Sequence, residues 1–271
     1  MKTLKNHTIL YDAECPMCNL YTSAFVRCGM LDSNGREPYQ QTEIAGKNLN
    51  MQRAVNEIAL LDNSTGEVQY GVRSLLKILG NAFPVIKTIF KFRPFVWLAE
   101  KLYAFVSYNR RVIIPIDTGR PDFAYQPSFR VRYRLLYLIF AALVTGAVLT
   151  AYDPLVSDFV PDGNVYRGYV AAFGQVLFQG VIAGVLIKDK CWDYLGNMMT
   201  ISFAGVLLLT PVIFIAKFVA IPDFVALSCV GVVVSLMFLE HTRRSRLLHI
   251  GWKMKVTWVL YRVLVLSIIF L

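Results

Sequence analysis

Asp12-Ala13-Glu14-Cys15-Pro16-Met17-Cys18 decides how the first half of this chain is read. It follows an apolar run, Thr8-Ile9-Leu10-Tyr11, of strand-like composition, and precedes Leu20–Met30, whose apolar residues suit a helix. Pro16 falls where the first turn of a helix accepts proline. Two cysteines two residues apart, where a strand hands over to a helix, set a sulfur at the positive end of the helix dipole. That position favours the thiolate, the form of cysteine that attacks sulfur and binds metals.

The neighbouring segments predict one small α/β unit. Thr8–Tyr11 reads as a strand, Pro16 to about Met30 as a helix, Asp32-Ser33-Asn34-Gly35 as a turn and Pro38–Ile44 as a second strand. Asn50–Asn56 reads as a short helix or loop. Glu57–Leu61 and Glu67–Tyr70 flank the turn-rich Asp62-Asn63-Ser64-Thr65-Gly66, and Val72–Leu79 reads as a helix that Gly80 ends. The order β-α-β-(α)-β-β-α is that of a thioredoxin-like fold, so residues 1–115 are expected to form an α/β thioredoxin-like domain. The aromatic-rich stretch 83–108 is too charged to cross a bilayer. It is expected to supply core helices of this domain, with an amphipathic element on a membrane surface as the alternative.

The second half is of another kind. Mean hydropathy over the 271 residues is +0.49 and 56% are hydrophobic, above the roughly 45–50% of soluble domains. After a basic linker at 116–134 come five apolar segments: Leu135–Ala151, Val170–Ile187, Leu195–Ala216, Phe224–Leu239 and Val256–Leu271. Each approaches the roughly 17–20 residues that a bilayer crossing needs, and together they predict an all-α transmembrane bundle of about five helices over 135–271. Thirteen basic residues fall on one side of the bilayer, from Arg110, Arg111, Arg120, Arg130, Arg132 and Arg134 through Lys188 and Lys190 to Arg243, Arg244, Arg246, Lys253 and Lys255. Only Arg167 and Lys217 fall on the other. That bias predicts a multi-pass plasma (inner) membrane protein with a cytoplasmic N-terminal domain and its C-terminus outside. Because the basic residues border apolar spans, the net charge of +10 points to lipid, not nucleic acid. Met1–His7 has no apolar run behind it and predicts no cleavable signal peptide.

Polar residues are sparse within these spans. Gly180 and Gly184 form a Gly-x-x-x-Gly pair that favours close helix contact, and Pro211 is expected to kink the third span. Gln175 and Gln179 share a helix face, either as glue between helices or as the lining of a head-group site such as that of a quinone. Arg262 lies seven residues past Lys255, and an intramembrane arginine calls for a partner or a route to water. Snorkelling toward the cytoplasmic interface is the expected arrangement, with an ion pair to Glu240 or Asp193 or an anionic ligand site as alternatives. His241 and His249 are expected near the membrane surface, which leaves no histidine within a span to hold a haem.

The Asp-x-x-Cys-x-x-Cys of Asp12, Cys15 and Cys18, directly after the first strand, resembles the DCC family of thiol–disulfide oxidoreductase-like proteins. The hairpin followed by Gly71 and the Leu75–Leu76 helix, and the Tyr103…Asn109-Arg110 ending, are also similar to it. The resemblance covers about residues 7–115. One departure from ordinary thioredoxins stands out: no proline precedes the Glu57–Leu61 strand, where the one that shields the cysteine pair is expected.

Cys15, just before the helix, is the expected nucleophile, and Cys18 the residue that resolves a mixed disulfide. Asp12 and Glu14 are expected to oppose a low thiol pKa and to favour a reductant, and Asp12 is also a candidate proton acceptor. A decayed, non-catalytic pair and half of a zinc site are the alternatives for the two cysteines, but four ligands are not in view and no metal is expected. Cys28 is expected to be a buried helix residue and Cys229 inert packing, while Cys191 falls in a short loop between lysines and could exchange with Cys15. The expected function is a membrane-anchored thiol–disulfide oxidoreductase with a redox-active Cys15–Cys18 disulfide and a protein thiol partner. The alternative is a non-catalytic assembly or transport component of a membrane-protein complex, whose head is a docking module.

Overall fold

The computed structural model describes residues 1–41, 49–117, 127–161 and 163–271. They fall into two compact units, Met1–Ile116 with 127–133, and Asp117 with Arg134–Leu271. Part of the expected second strand (Thr42 to Ile44) lies outside the described residues, as do Arg120 and Asp162.

The first unit is built on a mixed four-stranded sheet, β1 (His7–Tyr11), β2 (Arg36–Pro38), β3 (Ala59–Asp62) and β4 (Val68–Tyr70), in the order β2-β1-β3-β4. β1 pairs in parallel with β2 and antiparallel with β3, and β3 pairs antiparallel with β4. Successive side chains of a strand point to opposite faces. Ile9 therefore packs with Leu31, Ile58, Leu60 and Ile78, whereas Leu10 packs with Tyr39, Ala54, Val55 and Ala59. Burying both faces of β1 in this way contributes about 1.5–3 kcal/mol for each large apolar side chain. β2 forms earlier than expected because the Asp32–Gly35 turn brings the chain back at once, the Ile9 N–H donating to the Gly35 carbonyl at 2.9 Å.

Helices α1 (Pro16–Arg27), α2 (Met51–Asn56), α3 (Val72–Ala82) and α4 (Arg93–Ile113) complete the unit. Gly80 does not end α3. It is buried inside the helix, where a Cβ would stand 3.3 Å from the Phe90 ring, so it serves close packing. The aromatic stretch also departs from expectation. Tyr103, Asn109, Arg110 and Val112 turn inward along α4, but Val85 is 90% exposed and Phe92, Trp97 and Leu102 are exposed too. An outward apolar face, interrupted by Lys87, Lys91 and Lys101, is thus what most of 83–102 provides.

The second unit holds α5 (Val131–Tyr152), whose first residues belong to the other unit, then α6 (Arg167–Leu186), α7 (Cys191–Ala216), α8 (Asp223–Leu247) and α9 (Lys253–Ile269). Among the described residues four helices, α5 to α8, are long and apolar enough to cross a membrane, which makes this a multi-pass membrane protein by length and composition. The expected fifth span is not among them. α9 has 17 residues, rising about 25 Å, and Lys253, Lys255 and Arg262 interrupt its apolar character. α8, by contrast, runs past the expected Leu239 to Leu247, because Glu240 bonds both Arg243 and Arg244 at 2.7 Å and keeps that charged end helical.

Close helix contact falls elsewhere than expected. A Cβ on Gly184 would meet nothing within 4 Å, whereas one on Gly168 of α6 would lie 2.6 Å from the Gly146 carbonyl of α5. Gly168→Ala should therefore force α5 and α6 apart and cost about 1–3 kcal/mol, while Gly184→Ala should be neutral or slightly stabilising. Thermal unfolding of the full chain in detergent checks this; equal midpoints for the two variants would refute the assigned contact.

Candidate functional site

α1 begins with a sulfur as its cap. Cys15 is the N-cap residue with extended backbone, and its Sγ accepts the Cys18 N–H at 3.4 Å. The Cys15 N–H donates to the Asp12 carbonyl at 3.1 Å, which closes the turn out of β1. Pro16 follows at the first helical position, where its missing N–H costs nothing. Both thiols are free and only 4% and 5% exposed.

Beneath this turn lies a buried ion pair. Arg110, near the end of α4, donates to Asp12 Oδ2 at 2.7 Å and to the Val55 carbonyl at 3.0 Å, with Asp12 and Arg110 almost wholly buried. Asp12 Oδ1 accepts from Gln40 Nε2 at 2.8 Å and from the Glu14 N–H at 3.1 Å, and the Tyr39 hydroxyl also bonds this carboxylate. Glu14 faces Arg111 at 3.7 Å. The sequence placed Asp12 and Glu14 as negative charges that raise the thiol pKa; in the structure both are met by consecutive arginines of α4.

The electrostatic outcome favours a thiolate at Cys15. Its pKa is drawn down to about 6, first by the hydrogen bond from the Cys18 thiol and then by the Arg110 charge and the Cys18 N–H, against burial and the Asp12 charge. The Cys18 thiol is pushed up, first because it donates that hydrogen bond and then by burial. Sequence reasoning did not assign Arg110 to the site, since 98 residues separate it from Asp12.

The other candidates separate. Cys28 is the exposed C-cap of α1, not a buried helix residue. Cys191 opens α7 instead of lying in a loop, with its thiol 3.9 Å from the Gly180 carbonyl. Gln179 lies in the bundle core, its Oε1 accepting from the hydroxyls of Thr257 at 3.0 Å and Tyr194 at 3.2 Å. Gln175 accepts from Ser202 at 3.4 Å and lines a cavity that Arg262 also lines. The candidate carboxylates for Arg262 are engaged elsewhere: Glu240 pairs with Arg243 and Arg244, and Asp193 with Arg134. His241 is buried in α8, with Nε2 3.3 Å from the Tyr194 hydroxyl and its ring against Trp258.

A scan of family models and searches of curated proteins and of solved structures each return no match to this chain.

Two outcomes test the site. Arg110→Met should leave the Asp12 carboxylate buried and unpaired, at a cost of about 3–5 kcal/mol. Amide exchange at Ile9 and Leu10 should then accelerate on the order of 100-fold or more, and Asp12→Leu added to Arg110→Met should recover much of the loss. If the double variant is no better, the pair is not coupled. A thiol acid drawn below its ordinary range stays ionised as the pH falls, until its own pKa is reached. Alkylation of Cys15 should thus rise between pH 5 and 7 with a midpoint about 6 and then level; a midpoint near the ordinary 8.5 would reject the assigned electrostatics.

Proposed function

We propose that the N-terminal unit is a thioredoxin-like, DCC-type thiol–disulfide oxidoreductase, tethered by a multi-pass membrane domain and facing the cytoplasm of a plasma (inner) membrane. The observation that carries this reading is Cys15 capping α1 with its thiol acidified, while Cys18 stays protonated behind it. The strand order β2-β1-β3-β4, with a cysteine pair after β1, supports the thioredoxin-like assignment. The basic residues bordering the spans support the orientation.

In the direction that reduces the partner, the Cys15 thiolate attacks one sulfur of a partner disulfide. An S–S bond forms between Cys15 and the partner, the partner's S–S bond breaks, and the departing thiolate takes a proton from solvent. Cys18 then loses its proton and attacks Cys15 Sγ. The second partner thiolate leaves and is protonated, and the chain keeps a Cys15–Cys18 disulfide. Two electrons pass from the pair to the partner, which ends as a dithiol; the reverse sequence oxidises it. Asp12 and Arg110 act as positioning residues here. Their ion pair holds the Cys15 turn against α4, and Arg110 supplies the positive field. The Asp12 oxygens already accept from Arg110, Gln40 and Glu14, which leaves them poorly placed to take the Cys18 proton.

One observation favours the docking-module alternative: the sulfurs are nearly buried, so a partner must displace cover to reach Cys15. The two readings part cleanly. In the full chain, Cys18→Ser should accumulate a Cys15-linked mixed disulfide with a cellular protein, visible as a band that a reductant removes. No trapped species, together with normal cellular function in a Cys15→Ser/Cys18→Ser variant, would favour docking over exchange.

A further inference from the structure

The membrane unit contains a cavity of about 570 Å³ among α5, α6, α7, α8 and α9, within the range of small-molecule sites. Its walls are mostly aliphatic, from residues such as Leu149, Val206, Leu209, Val234 and Leu266. Polar residues break that lining, among them Thr145, Gln175 and Arg262 from three different helices. Gln175 of α6 is 5% exposed and its Nε2 has no hydrogen-bond partner; Thr145 of α5 is equally buried with its hydroxyl unpartnered. Among the described residues Arg262 of α9 bonds only the Trp258 carbonyl, at 3.2 Å, with its guanidinium over the Trp258 ring. No carboxylate among the described residues pairs with Arg262. The other charged residues lining the cavity, Asp153 and Arg167, form an ion pair with each other. The lining thus carries one positive charge in excess and an unused amide donor, inside walls that suit a hydrocarbon chain.

A buried donor without an acceptor is destabilising, and a cation at membrane depth calls for a counter-charge or water. Snorkelling accounts for neither the Gln175 amide nor the Thr145 hydroxyl. We infer that this cavity binds a lipid-soluble molecule whose hydrogen-bond-accepting oxygen head is held by Arg262 and Gln175 and whose apolar remainder fills the aliphatic walls. Two sources share that chemistry, a long-chain carboxylate and a long-chain quinone. Gln179, read from the sequence as part of the same cluster, is not one of the cavity-lining residues. The inference stands apart from the cysteine chemistry and would survive its failure.

Trp258 beneath Arg262 makes the site readable. The full-length protein in zwitterionic nanodiscs is titrated with doxyl-labelled stearate, which quenches nearby tryptophan. Saturable quenching is expected, and Arg262→Gln should weaken it about ten-fold or more. Arg262→Lys, which keeps the charge, should retain most of the binding, and Gln175→Leu guards against a folding defect at Arg262. Competition by unlabelled stearate but not its methyl ester assigns a carboxylate. Competition by the ester and by a long-chain ubiquinone assigns a neutral carbonyl. Quenching that never saturates, or that is unchanged in both Arg262→Gln and Gln175→Leu, overturns the inference and leaves the cavity to ordinary acyl chains.

Discussion

The first unit depends on the ion pair between Asp12 and Arg110. Taking two charges out of water is expensive, and only good geometry with further hydrogen bonds offsets it. Here the carboxylate accepts from the guanidinium, the Gln40 amide and the Glu14 N–H, and the guanidinium also reaches the Val55 carbonyl. Those bonds tie together the end of β1, the loop after β2, the end of α2 and the end of α4. The cysteine turn is closed on the Asp12 carbonyl, so its shape depends on the same anchor. Such a pair is weak evidence of net stability, but it leaves the turn one position to occupy.

The membrane unit solves a different problem. Between helices in lipid the hydrophobic effect offers little, so close contact and hydrogen bonds must hold them. Gly168 against Gly146 supplies the first. Tyr137 to Thr200 at 2.7 Å and Tyr152 to the Ala226 carbonyl at 2.9 Å supply the second. Arg134 and Arg244, which the sequence offers as topogenic charges, are buried, reaching the Trp192 carbonyl and Asn197. A basic residue at a span boundary can therefore pack the bundle together.

Local signals were legible in the sequence, and distant partners were not. The strand, the cysteine turn and Pro16 announce themselves within a dozen residues, because chain geometry alone relates them. The α2 and α3 helices and the β3–β4 hairpin follow from turn chemistry and periodicity. Arg110 was invisible as a site residue, since no spacing rule links position 110 to position 12. Gly80 misled because a glycine near a helix end reads as a stop, and only tertiary packing shows it facing Phe90. The fifth span misled because composition reads Val256–Leu271 as apolar overall, while the helix that forms is short and carries Arg262. The face of 83–102 could not be assigned from pattern, since an amphipathic stripe looks the same against a core and against solvent.

The sulfur cap on α1 ties redox chemistry to secondary structure. A thiolate there satisfies an amide that the helix cannot satisfy itself, and it places negative charge where the helix end is positive. Joining that sulfur to its neighbour withdraws the charge and weakens the acceptor. On the proposed exchange reading, electrons held on the pair are held partly as helix order, and giving them up would loosen the opening turn. Any group that feels the tautness of that turn would then sense whether the domain is reduced or oxidised.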